Sequence, residues 1–305
     1  MNVIEADDLG KRYGSTWALR ECTLAVPEGH VTALVGPNGA GKTTLLNLAV
    51  GLTDPSSGTI SVLGGRRAGS LAALDGIAFV AQNAPLYKNL SAADLLHETR
   101  NLNRRFDQGY AERRLGELGI PLRQKAGKMS GGQQAQVALT LALARRPKLL
   151  VLDEPLANLD PLAREDFMAT VMTAAEEDGV SVVLSSHVLA ELERVADYLV
   201  LVSHGNIRVA GEVEHLLAAH HMLTGPAAES ERLGQQLNVV HASRSASQGL
   251  LLVRSDSAAS PVPSGWEARS VTLEELTMAY LRGSGAATSS GPAHGSGADP
   301  SEVTR

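Results

Sequence analysis

The stretch Val31-Thr32-Ala33-Leu34-Val35-Gly36-Pro37-Asn38-Gly39-Ala40-Gly41-Lys42-Thr43-Thr44 decides the fold. The apolar run Val31–Val35 reads as a buried strand, and the periodic segment Leu45-Leu46-Asn47-Leu48 after it as the body of a helix. The loop between them carries G-x-x-x-x-G-K-[ST] in the strand–loop–helix setting that gives the pattern its meaning. A phosphate chain needs backbone N–H donors with no side chain in the way. Gly36, Gly39 and Gly41 let the loop curl so that successive N–H groups point inward, with Pro37, Asn38 and Ala40 completing it. The helix through Thr44 aims its positive end at the same point. Lys42 supplies a mobile cation for the β- and γ-phosphates, and Thr43 a hydroxyl for Mg²⁺.

Other short apolar runs lie downstream: Ile77–Val80, Leu149–Leu152, Val180–Leu184 and Tyr198–Val202. Near-continuous Val/Leu/Ile runs fit strands of a parallel sheet buried on both faces. Helical patterns at Thr44–Val50, Pro161–Glu177 and Val188–Ala196 alternate with them, which predicts a layered α/β domain. Between Gln82 and Pro147 the pattern becomes helical: Ser91–Asn103, opened by an N-cap serine, then Tyr110–Leu118 and Gly132–Ala144. This predicts a helical insertion. After about Leu217, strand candidates Leu237–His241 and Leu250–Arg254 and the amphipathic segment Leu273–Leu281 predict a small α+β appendage. From Gly283 to Arg305 the Gly/Ser/Ala/Pro composition predicts a disordered tail.

A phosphate loop needs a metal-holding acid on a neighbouring strand. Asp153 ends the run Leu149–Leu152, where ligands of open α/β sheets bind, and is the candidate Mg²⁺ partner. Glu154 follows directly, so its carboxylate points elsewhere and suits polarisation of a water. Met129-Ser130-Gly131-Gly132-Gln133 precedes a helical run; a helix N-terminus with bare amides and a hydroxyl is a second anion site. Each motif also has a plain structural reading, as a capped helix, a Gly-rich turn or acids at a strand end.

As a set, these motifs resemble the ATP-binding cassette family over roughly residues 3–217. Met129–Gln133 is similar to its signature sequence, with Met129 where the family usually has leucine. Gln134-Ala135-Gln136 stands where arginine or lysine is common. The resemblance implies a P-loop NTPase fold: a RecA-like core, an antiparallel β subdomain and an inserted helical subdomain at about 83–147. It implies that Gln82 reaches Mg²⁺ or the attacking water, that His187 contacts the γ-phosphate and orients Glu154, and that Asp160 lies in a loop crossing a dimer interface. Tyr13 would stack on adenine. Ser130, Gly131, Gly132 and Gln133 would face ATP held by a second ATP-binding subunit, identical or not. The function implied is an ATP-hydrolysing transporter subunit of the exporter type with a C-terminal extension. Its partner would be a membrane-spanning permease, docked around Asn83–Leu96. Rival readings are a cassette ATPase acting on nucleic acid or ribosomes and a regulatory module that binds ATP without hydrolysing it; intact Glu154 and His187 argue against the second.

Composition bounds the partners. The chain has 305 residues, a net charge of −6 and a pI near 5.9, without the basic footprint of nucleic-acid binding. The single cysteine, Cys22, fits a reducing compartment and reads as a small core residue. Glu5, Asp7 and Asp8 stand where a signal peptide would be basic, and no run approaches the ~18 apolar residues of a membrane span. The sequence predicts a cytoplasmic chain, and the family resemblance implies one peripheral on the inner face of the membrane. His215, His220 and His221 read as solvated and metal-free.

Overall fold

The computed structural model describes residues 1–82, 86–189, 192–255 and 264–283. The chain opens with a long hairpin, β1 (Asn2–Tyr13) and β2 (Thr16–Pro27). After β3 (Val31–Val35) and α1 (Lys42–Ala49) come β4 (Ser57–Val62) and β5 (Arg66–Arg67), which complete an antiparallel sheet of order β2-β1-β4-β5. Residue-level reading does not find this sheet, because bulges break its alternation. The β1–β2 register shifts between Ala6 and Leu9, where Asp8 takes φ 46°.

The second sheet joins β3 to β6 (Ile77–Val80), β7 (Leu149–Asp153), β8 (Ser181–Ser186), β9 (Tyr198–Ser203) and β10 (Asn206–Glu212), in the order β10-β9-β3-β8-β7-β6. β9, β3, β8, β7 and β6 pair parallel, while β10 pairs antiparallel with β9. Alternate residues serve two cores. Ala33, Leu150, Leu152, Val182 and Leu184 face one with Leu139 and Phe167. Leu34, Leu149, Val151, Val183 and Val200 face the other with Leu45, Leu48 and the antiparallel sheet. Covering both faces explains the unbroken apolar runs, and each fully buried Leu or Val contributes roughly 1.5–3 kcal/mol.

The short α2 (Leu71–Leu74) precedes β6. The insertion holds α3 (Ala92–Leu102), α4 (Gln108–Glu117) and α5 (Gly131–Ala144). Ser91 caps α3 in a capping box with Asp94. These helices have their own core of Leu95, Leu96, Leu115, Ile120, Met129 and Val137. Helix α5 is shared, since Ala135, Leu139 and Leu143 turn to the sheet. α6 (Pro161–Asp178) starts at an Asp160 N-cap and stops at Gly179, φ 65°.

The helix predicted at Val188–Ala196 shows, among its described residues, a 3-10 position at Leu189 and turns over 192–195, with Glu193 N bonding Leu189 O and Ala196 N bonding Leu192 O four residues back. Ser186 Oγ takes the Val188 N–H at 2.9 Å, and the Leu192 N–H bonds Leu189 O, three residues back. α7 (Val213–Ala219) crosses the boundary expected near Leu217 and leads into β11 (His220–Pro226), α8 (Ser230–Gly234), β12 (Val239–Arg244), β13 (Gln248–Arg254), β14 (Glu267–Ser270) and α9 (Leu273–Arg282). Their antiparallel sheet has the order β12-β13-β11-β14. One face, through Met222 and Leu252 with Leu273 and Leu276 of α9, merges with the core around Leu216. The other covers Trp266, which lies across Gly225, where an added Cβ would come within 2.3 Å of its ring.

His220 is not solvated. It is fully buried, with Nδ1 2.6 Å from Leu216 O and Nε2 2.9 Å from Tyr280 Oη, because it opens β11 beneath α9. His221 is half-buried, and only His215 is exposed, paired with Glu212. Cys22 is buried in the core, as expected. Gly283 apart, the predicted tail lies outside the described residues, as do Asn83–Pro85.

Candidate functional site

The loop between β3 and α1 forms the floor of an open cleft of about 540 Å³. Tyr13, Ala18, Pro37–Thr44, Gln82, Glu154 and His187 line it. Gly36 and Gly41 show why the loop needs glycine. A Cβ on Gly36 would lie 2.2 Å from Val202 O, and Gly41 has φ 111° with Ala18 O 2.7 Å from an added Cβ.

Lys42 begins α1 and is buried, with Nζ donating to Gly36 O at 2.7 Å. The same ammonium stands 3.2 Å from Glu154 Oε1, and His187 Nδ1 stands 2.7 Å from Glu154 Oε2. Glu154 therefore joins the loop after β3 to the strand ends of β7 and β8. It holds a left-handed φ of 47°, sparsely populated outside glycine. Ser185 of β8 fixes it. Glu154 N donates to Ser185 Oγ at 2.8 Å, and that hydroxyl donates to Asp153 Oδ1 at 2.7 Å. Asp153 is buried with its carboxylate on Ser185, whereas that of Glu154 meets Lys42 and His187, so the two neighbouring acids have different partners. Ser185 was legible in the sequence only as the polar exit of an apolar strand; its bridging of the two acids needs the β7–β8 pairing.

Thr43 and Gln82 are exposed at the cleft, and Asp153 is buried at the end of β7, next in the chain to the cleft-lining Glu154. A hydroxyl, an amide oxygen and a carboxylate form an all-oxygen donor set, which fits Mg²⁺ with water retained. Among the described residues no group of three or more His, Cys, Asp or Glu could hold a metal ion. Tyr13 ends β1 half-exposed at the cleft mouth, with Lys11 Nζ 5.2 Å from its ring centroid.

The remaining sequence candidates lie apart from the cleft lining. Ser130 caps α5 in a capping box with Gln133. Gly131 and Gly132 face the segment after β7: an added Cβ would meet Asn158 O at 3.6 Å and Ala163 Cβ at 3.0 Å respectively. Asp160 Oδ1 accepts from Ala163 N at 2.9 Å. These residues form a second cluster on the same molecule, with Ser130, Gly131 and Asp160 exposed and Gly132 and Gln133 half-buried.

A glycine-floored loop between a parallel strand and a helix, in a sheet with both faces covered, defines a P-loop NTPase. Residues 19–157 match the family model described as ABC transporter. The lantibiotic transport ATP-binding protein SrtF of Streptococcus pyogenes is 31% identical over 222 residues, 70% of this chain and 92% of that one. The phosphonates import ATP-binding protein PhnC of Thiobacillus denitrificans is 32% identical over 236 residues, 72% of this chain and 90% of that one. A solved dimeric bacterial ABC transporter cassette matches with a TM-score of 0.61 at 26% identity, over 69% of this chain and 98% of that one. The chain belongs to the ABC transporter family, among its ATP-binding subunits.

Proposed function

We propose that this chain binds and hydrolyses ATP to drive solute export through a separate membrane-spanning permease. The observation that carries the chemistry is Glu154, held between Lys42 at 3.2 Å and His187 at 2.7 Å at the phosphate-loop cleft. A carboxylate anchored at both oxygens beside a phosphate cradle is placed to orient a water toward a γ-phosphate. Lys42, the loop amides and Thr43 bind the phosphates, His187 sets the orientation of Glu154, and Tyr13 offers a π-face to adenine. Thr43, Gln82 and Asp153 would hold Mg²⁺, which neutralises phosphate charge when bound.

Ser130, Gly131, Gly132, Gln133 and Asp160 cluster away from this cleft, so a second ATP-binding subunit would bring its own cluster to it. The dimeric cassette among the structural relatives supports that arrangement. No helix among the described residues is long and apolar enough to cross a membrane, which leaves the spanning to the permease. Its docking surface would follow Gln82, where Leu86, Phe79, Leu141 and Arg145 line a groove beside α3. On this reading the chain would sit on the cytoplasmic face of the membrane. The relatives include several named for import, so export rests on the overall resemblance.

The test is Ser130→Arg. Each chain should still bind ATP through its own phosphate loop. ATP-driven dimerisation in a Glu154→Gln background should be lost, together with hydrolysis in the otherwise unaltered chain. Normal hydrolysis by a monomer would refute the composite site.

A further inference from the structure

Helix α5 has different surroundings at its two ends. Its N-terminus presents Ser130, and its C-terminus runs into Arg146, a non-glycine residue at φ 51°. The Arg146 guanidinium gathers three elements. Nε and Nη2 donate to Asp107 Oδ2 at 3.2 and 2.8 Å, and Nη1 donates to Asp178 Oδ1 and Oδ2 at 3.2 and 3.3 Å. Its carbon lies 4.7 Å from the Tyr110 ring centroid. Asp107 caps α4 through Tyr110 N at 2.8 Å, and its own N–H binds Ala144 O at 2.7 Å. Asp107 and Tyr110 belong to the insertion, whereas Asp178 is the last residue of α6 in the α/β core.

The two bodies have separate hydrophobic cores that meet along α5 and Tyr110. Apolar packing along one helix resists separation better than rotation, because it has no direction. A forked guanidinium shared between two carboxylates fixes direction. Two further arginines strap the same side: Arg105 pairs with Asp75 at 2.8 Å, and Arg145 donates to Leu74 O at 3.0 Å.

We infer that Arg146 is a positioning residue, which sets the angle of the helical insertion on the α/β core and thereby the place of Ser130. The inference rests on the composite-site reading. Helix α5 has 14 residues, or about 21 Å at ~1.5 Å per residue. A rotation of about 5° at the Arg146 end moves Ser130 by roughly 2 Å, enough to break a contact of hydrogen-bond length. Misplacement by about 1 Å can cost about 10²-fold in rate.

Asp178→Asn tests this most cleanly. It removes the core half of the node and leaves Asp107, Tyr110 and the α4 cap intact. The pair is 38% and 46% exposed, so its contribution to global stability is small. The expected result is a kcat about tenfold or more below wild type, with KM within about twofold and melting temperature nearly unchanged. Arg146→Met should match it. Arg146→Lys, which keeps the charge but not the fork, should recover only part of the rate.

A second readout needs no nucleotide. Spin labels on Glu28→Cys in the core and Glu98→Cys in the insertion, with the buried Cys22 left unlabelled, report the angle between the bodies. The inter-label distance distribution should be narrow with Asp178 and broad with Asp178→Asn. Identical distributions overturn the inference. If the distribution broadens but the wild-type chain does not hydrolyse ATP, the positioning role stands and the catalytic reading fails.

Discussion

Replacing Ser185 by alanine removes one hydroxyl and leaves two groups without it. Ser185 is completely buried, as is nearly all of Asp153. The hydroxyl accepts from Glu154 N at 2.8 Å and donates to Asp153 Oδ1 at 2.7 Å. A buried N–H left unsatisfied costs about 1–3 kcal/mol, and a hydrogen bond to a charged group contributes about 1.5–3 kcal/mol. The two losses share one atom and are not additive, so about 3 kcal/mol is the working figure. At roughly 2–4 °C per kcal/mol for a domain of this size, Tm should fall by about 6–12 °C. The loss has a functional side too. Glu154 N anchors a residue at φ 47°, and without the anchor the backbone can relax and carry the carboxylate away from Lys42 and His187. Calorimetry and phosphate release at about 20 °C, far below the transition, separate the two effects; kcat should drop about tenfold or more with ATP affinity retained. A Tm within about 2 °C of wild type, with unchanged kcat, would refute the view that Ser185 fixes both acids.

Glu154→Gln keeps the side-chain shape, so ATP should still bind while hydrolysis falls by about 10²–10⁴; steady-state turnover near wild type removes Glu154 from the general-base role. Gly131→Ala should leave Tm level or slightly raised, since alanine favours a helix over glycine by up to about 1 kcal/mol, and should abolish ATP-driven dimerisation; a dimer of normal affinity by size-exclusion would sink that expectation. Gly225→Val forces a methyl group against the Trp266 ring and should lower stability by about 1–3 kcal/mol or more, with a red shift in tryptophan emission; unchanged emission would show that the ring does not rest there. The Arg269 guanidinium, 2.6 Å from Glu275, and the Thr272 N–H hold the Glu275 carboxyl at about 2, below its usual 4.5. A depressed folded-state value means that its stabilisation is complete above pH 4.5 and lost as pH falls toward about 2. The urea-midpoint gap between wild type and Glu275→Gln should therefore close across that window, and an equal gap at about pH 7 and about pH 3 would contradict it.

The central sheet was legible because its strands are buried on both faces, and continuous apolar runs such as Leu149–Leu152 need no partner to be recognised. The phosphate loop was legible because its geometry is local. The first sheet was legible only through the family resemblance, since Asp8 and Glu21, at φ 46° and 50°, interrupt the two-residue period that marks a half-buried strand. His220 was misread for a related reason. Three histidines within seven residues suggest a polar surface, yet a strand alternates its faces, and the polar environment His220 needs comes from Tyr280, sixty residues away. Ser185 shows the limit of motif reading: nothing in Val-Val-Leu-Ser-Ser says which serine faces β7.

Ser130-Gly131-Gly132-Gln133 presents the sharpest ambiguity, because a capping box and a phosphate-contacting helix start use the same residues. The structure contains the box, with Gln133 N donating to Ser130 Oγ at 3.2 Å and Ser130 N to Gln133 Oε1 at 3.0 Å. The box accounts for Ser130 and Gln133. Packing accounts for Gly132, where a Cβ would press on Ala163 at 3.0 Å. Neither accounts for Gly131. Its φ is not left-handed, and a Cβ there would meet only Asn158 O, at an ordinary 3.6 Å. Within this chain the fold would accept alanine and be more stable for it. A residue that lowers helix propensity, is exposed, and meets no steric demand from its own chain is suited to the close approach of something from outside. The proposed composite site would supply that approach, as phosphate held by another subunit, which makes Gly131 the position where a structural role and a functional one would come apart.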